Sequence, residues 1–147
     1  MGYVTLDHIG YQVTVGQRMA FRVRYNRRGN GKPGGMAINF RQQMGAGNDI
    51  ILHFNPRHPS YTIVLNSFVN QNWQQEVVTD AEEAVFSEEF TLSLDIIDER
   101  NVLVRVNGGI LTTYTCPIDI CNTNFIEFSP EYRLIEETIE NSQICSS

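Results

Sequence analysis

Period-two alternation dominates the chain. In Met19-Ala-Phe-Arg-Val-Arg-Tyr25, one face carries Met19, Phe21, Val23 and Tyr25, and the other carries Ala20, Arg22 and Arg24. That is the pattern of a half-buried strand. Tyr11–Val15, Thr91–Ile97 and Val102–Val106 alternate in the same way. Met36–Arg41, Asp49–Arg57, Tyr61–Ser67 and Asn124–Phe128 complete the predicted strands. Turn residues punctuate them. Asn26–Gly35 reads as a loop, Gly45–Asp49 as a turn, and His58-Pro59-Ser60 as a short connection. Asn107-Gly108 is the strongest hairpin signal, with Ile110–Thr115 as the return strand. The best helix candidate is Glu131–Glu140, one or two turns long, with Thr138 and Ile139 poor formers and no clear cap. Many short strands separated by turns predict an all-β chain, an antiparallel sandwich or barrel, in one domain over residues 1–147.

Composition narrows the picture. At 41% hydrophobic and 19% charged residues the chain is globular rather than disordered. No apolar run approaches the ~18 residues of a membrane span, so membrane insertion is not expected. MGYVTLDHIG has no basic segment followed by an apolar one, and no signal peptide is predicted. Cys116, Cys121 and Cys145 are odd in number and form no CxxC pair, which predicts free thiols, neither a disulfide framework nor a zinc site. His8 and His58 read as surface residues, and no His/Cys/Asp spacing suggests a metal or another cofactor. The net charge of −6 is uneven: eight basic residues stand against two acidic ones up to Arg57, and three against fifteen after it. In one domain such halves are expected to fold back on each other.

The segment Asp49–Ser67 carries the chemistry. Leu52 and Phe54 suit a core, but His53, Asn55 and Arg57 line the opposite face of the same strand. Pro56 lacks an N–H and marks a bend or an end of pairing there. The next strand offers Thr62, Val64 and Asn66 on one face, so Asn66 can join the polar row. Trp73, the only tryptophan, follows, with Glu76 three positions on. An imidazole, two amides, a guanidinium fork and a carboxylate supply donors and acceptors at fixed angles. The indole supplies a flat apolar plate. A pyranose has the matching hydroxyls and C–H patch, and galactose, with its axial 4-hydroxyl, matches best.

His53-x-Asn55-Pro56-Arg57, Val64-x-Asn66 and Trp73-x-x-Glu76, in that order, closely resemble the galectin signature. The strand frame resembles the family over most of the chain, from Val15–Val23 through Met36–Phe40 to Val102–Gly108. The resemblance implies a jelly-roll β-sandwich of two antiparallel sheets, concanavalin A-like, that binds β-galactosides on glycoproteins or glycolipids without metal. His53, Asn55 and Arg57 would bind the galactose 4-hydroxyl, Asn66 and Glu76 the 6-hydroxyl, and Trp73 the ring face. Arg57 with Glu76 would reach the next sugar. The resemblance also implies a cytoplasmic and extracellular protein, secreted without a signal peptide. One weak site per chain implies cross-linking through a homo-oligomer, a dimer or tetramer. There are departures: Val78 stands where galectins usually carry an arginine that helps hold the glutamate, and Gln74 replaces the usual glycine. The connection at His58–Ser60 is short, predicting a groove open beyond the galactose. The tail after Phe128 does not match the family's usual ending.

Three rival readings follow from the residues. Ser93-Leu-Asp95-Ile-Ile-Asp98 has the shape of a jelly-roll glycosidase strand, but Ser93 stands where the first carboxylate is needed. The chain is therefore not expected to be an enzyme, and Asp95 and Asp98 read as strand-end or turn residues. Arg22, Arg24, Arg27, Arg28 and Lys32 beside Tyr25 could form a basic strip. The net negative charge argues against a nucleic-acid partner. The runner-up is a galectin-fold interaction module with altered or lost sugar specificity.

Overall fold

The computed structural model describes residues 2–6, 11–26, 36–57 and 60–141. Its strands are β1 (Gly2–Thr5), β2 (Gln17–Tyr25), β3 (Ile38–Arg41), β4 (Ile50–Arg57), β5 (Thr62–Val69), β6 (Asn72–Trp73), β7 (Val77–Asp80), β8 (Glu89–Ile96), β9 (Asn101–Val106), β10 (Gly109–Thr115), β11 (Phe125–Phe128) and β12 (Tyr132–Asn141). One sheet runs β1-β11-β3-β4-β5-β6, with β7 also paired to β5; the other runs β10-β9-β8-β2-β12. All pairs are antiparallel.

The alternation read from the sequence decides what lies between the sheets. Phe21 of one sheet packs edge-on against Phe40 and Phe128 of the other, with ring centroids 5.9 and 6.4 Å apart. Phe54 stacks on Phe90 at 6.3 Å. A buried hydrogen bond of 2.6 Å between the Ser67 and Tyr114 hydroxyls also joins the layers. The sandwich is the predicted fold. The hairpin is also where expected: Asn107 and Gly108 take φ of 51° and 81° between the paired Val106 and Gly109. Both angles match a type I′ turn. A Cβ at Gly108 meets nothing within 4 Å, so Gly108→Ala tests the backbone alone. It should cost about 1 kcal/mol, read from the urea midpoint.

Two sequence expectations fail. Glu131–Glu140 is no helix; Glu131 lies in a turn and the rest belong to β12, which pairs with β2 from Tyr132↔Tyr25 to Asn141↔Gln17. A bulge between Leu134 and Glu136 reverses the alternation midway. Leu134 opposite Val23 and Ile139 opposite Met19 both face inward, although they are an odd number of residues apart. That shift hides the strand from a period-two reading. Tyr11–Val15 is not a strand either. Only Val13 is buried in the core, while Tyr11 and Val15 are exposed. The strand β1, the one-turn helix Ala84–Ser87 and the 3-10 turn Ile120–Asn122 are too short to show a period.

The charge imbalance resolves as expected. Arg18 binds Asp95, Arg22 and Arg24 bind Glu89, Arg41 binds Glu127, and Arg57 binds Glu76. Each pair joins a cation of the basic first part to an anion of the acidic second part. Arg22 and Arg24, the two described basic residues of the strip, are thus both paired; Arg27, Arg28 and Lys32 lie outside the described residues, as do His8, His58 and Cys145. Asp95 is 1% exposed near the end of β8, clamped by Arg18 at 2.6 Å and Arg105 at 3.0 Å. Asp98 sits in the following turn, where bonds from Asn101 and Arg100 hold its carboxyl below the usual range. Both are the strand-end and turn residues the sequence suggested. Cys116 is buried, and its thiol is pushed up to about 12 by loss of solvation; Cys121 is pushed up to about 11 for the same reason. Both are free thiols with little nucleophilic thiolate at neutral pH.

Candidate functional site

The outer face of the seven-stranded sheet collects the polar row. Leu52 and Phe54 are buried in the core, so His53, Asn55 and Arg57 on β4 point the other way. On β5, Asn66 is the Cα partner of His53, Val64 of Asn55 and Thr62 of Arg57. Pairing of β3 to β4 ends at Ile38↔Phe54, so Pro56 pairs with Ile63 of β5 but has no β3 partner. That is the end of pairing on one side expected at a proline. The tight turn Asn70-Gln71, with φ of 50° and 69°, reverses the chain so that Trp73 pairs with Phe68. Glu76 follows in the link between β6 and β7.

The structure brings all six sequence-identified residues together. His53, Arg57, Val64, Asn66, Trp73, Gln74 and Glu76 line a hollow of about 340 Å³. Asn55 lies beneath it, 1% exposed. Its Nδ2 donates to the Met36 carbonyl at 2.6 Å, and its Oδ1 accepts Arg57 Nε at 2.8 Å. Arg57 Nη2 then reaches Glu76 Oε2 at 3.0 Å. Glu76 is therefore held by Arg57 without the arginine that Val78 replaces. Val78 is 58% exposed; as the Cα partner of Val64 it stands on the same face, two residues beyond Glu76. Asn66 is 3% exposed: Nδ2 donates to the Gln74 carbonyl at 3.0 Å and Oδ1 accepts Ser67 N at 2.8 Å. Gln74 in place of glycine thus serves through its backbone. Trp73 is 51% exposed, its ring 4.8 Å from His53 and 5.0 Å from Phe68. A half-exposed indole lining the hollow offers a stacking plate.

His53 is the electrostatic centre. Burial, then the Arg57 and Arg41 charges, lower its pKa to about 4. The ring is therefore neutral at pH 7, with one donor and one acceptor nitrogen. Its Nδ1 lies 2.5 Å from Asn39 Oδ1. Asn39 Nδ2 donates to Glu127 Oε1 at 3.0 Å, and Arg41 Nε donates to the same oxygen at 2.9 Å. The sequence reading missed Asn39, Arg41 and Glu127. Their signal was alternation: Asn39 faces opposite to the core residues Ile38 and Phe40, on the side of the polar row.

A larger hollow, about 650 Å³, lies among the loops at Gln42, Gln43, Gly47–Asp49, Asn70, Gln71 and Asn124. The amide nitrogens of Asn48, Gln71 and Asn124 donate to the Met44, Gly47 and Gln42 carbonyls. These carboxamides tie loops together, which makes this hollow a poorer site than the smaller one.

The geometry matches a known family. The profile of galactoside-binding lectins matches residues 4–136. No curated protein sequence matches the chain significantly. Among solved structures, a variant of human galectin-16 superposes with a TM-score of 0.74 at 17% identity, covering 96% of this chain and 95% of that one. Sheep galectin-11 in complex with glycerol gives 0.74 at 16%, covering 95% and 96%. The Caenorhabditis elegans galectin LEC-6 gives 0.73 at 18%, covering 95% and 90%. At these identities the superpositions speak for the fold; the profile match over nearly the whole chain shows that this protein belongs to the galactoside-binding lectin family, the galectins.

Proposed function

We propose that the protein binds terminal β-galactosides of the lactose and N-acetyllactosamine type in the hollow between His53, Arg57 and Trp73. One observation carries this reading: Asn55, Arg57 and Glu76 form a continuous hydrogen-bonded fork beside a half-exposed tryptophan. The fork presents donors and an acceptor in fixed directions, and the indole takes the C–H face of a pyranose. The axial 4-hydroxyl of galactose meets His53 and Arg57 together; the equatorial 4-hydroxyl of glucose points away. Asn66 and Glu76 lie on the 6-hydroxyl side. Contacts are few and wet, so a monovalent Kd on the order of 10 μM to 1 mM is expected.

Calorimetric titration with lactose, with sucrose as control and EDTA present, tests the reading. Heat from lactose alone supports it; silence at millimolar lactose overturns it. Silence would favour the second reading, an interaction module with altered specificity, for which Val78 is the specific observation. Val78→Arg gauges that position. A second arginine beside Glu76 should change lactose affinity by no more than about fivefold, because Arg57 already holds Glu76 at 3.0 Å. A gain of a hundredfold would mean that Val78 disables the site.

Cross-linking of glycoproteins or glycolipids requires more than one site per particle. We therefore propose a homo-oligomer that acts outside the cell as well as in the cytoplasm. Sedimentation as a monomer at tens of micromolar would count against the oligomer.

A further inference from the structure

We propose that Glu127, acting through Asn39, is a positioning residue that fixes the proton of His53 on Nδ1. The ring then offers Nε2 to a ligand hydroxyl as an acceptor. This deepens the lectin reading and rests on it for its ligand consequence. Its structural claim stands without a ligand.

The argument starts at the far end of the relay. A carboxylate only accepts hydrogen bonds. Glu127 Oε1 lies 3.0 Å from an Asn39 side-chain atom, which must be the amide nitrogen. A flipped amide would set oxygen against oxygen. The Asn39 carbonyl oxygen therefore faces His53, 2.5 Å from Nδ1, and that nitrogen must carry the hydrogen. A neutral imidazole has one N–H, so Nε2 keeps its lone pair. The low pKa of His53, about 4, keeps the second proton off at neutral pH. Arg41 anchors the relay. Its Nε binds the same Glu127 oxygen at 2.9 Å, and its Nη1 donates to the Asn48 carbonyl at 3.1 Å. Arg41 and Glu127 are both largely buried, with side-chain exposures of 10% and 12%. The elements involved are three neighbouring strands: Glu127 on β11 pairs with Asn39 on β3, which pairs with His53 on β4.

The consequence is a rule for the ligand. The oxygen that sits between His53 and Arg57 must donate to the imidazole and accept from the guanidinium. A free hydroxyl does both. Fluorine accepts weakly and cannot donate, so a 4-deoxy-4-fluoro lactose should bind at least about fivefold more weakly than lactose.

The experiment is ¹⁵N NMR of the histidine ring nitrogens in the ligand-free full chain at pH 7, with lactose titration alongside. The wild type should show His53 protonated on Nδ1. Glu127→Ala should let Asn39 flip, shift the ring toward the Nε2–H form and weaken lactose about fivefold. Glu127→Gln, which keeps an acceptor oxygen, should restore both the tautomer and the affinity. Should Glu127→Ala misfold for want of an Arg41 partner, Asn39→Leu removes the acceptor at Nδ1 without touching that pair. An Nε2–H ring in the wild type would overturn the proposal. So would a tautomer unmoved by Glu127→Ala and Asn39→Leu. If the tautomers follow the proposal but lactose gives no heat even with wild type, the relay stands and the galactoside reading fails.

Discussion

Arg57→Ala should abolish detectable lactose binding while leaving thermal unfolding nearly unchanged. Arg57 is the hub of the site, joined to Asn55 on one side and Glu76 on the other. A hydrogen bond to a charged donor contributes about 1.5–3 kcal/mol, and Arg57 is placed to give more than one to a sugar. Losing them weakens an already weak ligand by about a hundredfold, beyond calorimetric reach. The cost to folding is small for the same geometric reason. The Arg57–Glu76 pair is solvent-exposed, with side-chain exposures of 40% and 47%, and such pairs contribute about 1 kcal/mol at most. Trp73→Ala should behave alike, since the residue is 51% exposed and its ring neighbours, His53 and Phe68, lie on the same sheet rather than between the sheets. The check is a pair of measurements on each variant, lactose titration and thermal melt. A variant that melts well below wild type would show that the residue supports the fold rather than the ligand.

Lowering the pH from 7 to 4 should destabilise the protein through His53 by up to about 3 kcal/mol, the linkage equivalent of a pKa moved from 6.5 to about 4. The sign follows from the direction. The folded state disfavours the charged ring, so between pH 6.5 and about 4 the unfolded chain binds a proton that the folded chain does not. Stability from His53 is therefore complete above pH 6.5 and is lost as the pH falls toward 4. Burial is the main cause. The Arg57 and Arg41 charges add to it, against smaller opposing effects of the Asn55 hydrogen bond and the Glu127 charge. Carboxylates elsewhere titrate in the same range, so the test is a comparison. Urea unfolding of wild type and His53→Gln at pH 7 and pH 4 should show the wild type losing about 3 kcal/mol more than the variant. Equal losses would mean that His53 titrates at its ordinary value and is more solvated than its packing indicates.

Much of this was legible in the sequence. Alternation over Met19–Tyr25 and Val102–Val106 defines strands because only one face of each meets the core, and side-chain period two is fixed by backbone geometry. Asn107-Gly108 defines its hairpin because few residue pairs accept two positive φ angles. His53, Asn55 and Arg57 declared themselves by being polar opposite the core residues Leu52 and Phe54. Elements that break the period stayed hidden. The bulge after Leu134 turned β12 into an apparent helix fragment, and Tyr11–Val15 alternates but pairs with no strand among the described residues.

By itself, then, the sequence determined the sandwich and its polar row, since both follow from which side chains avoid water within a single strand. The tertiary structure alone decided the wiring. It set Glu127 and Asn39, 88 residues apart, in one hydrogen-bond relay to His53, and it closed Arg57 onto Glu76 although Val78 stands nearby. Such pairs depend on strand order and register across the sheet. Neither is encoded in any local pattern, because the energy that fixes them comes from burying both sheets at once.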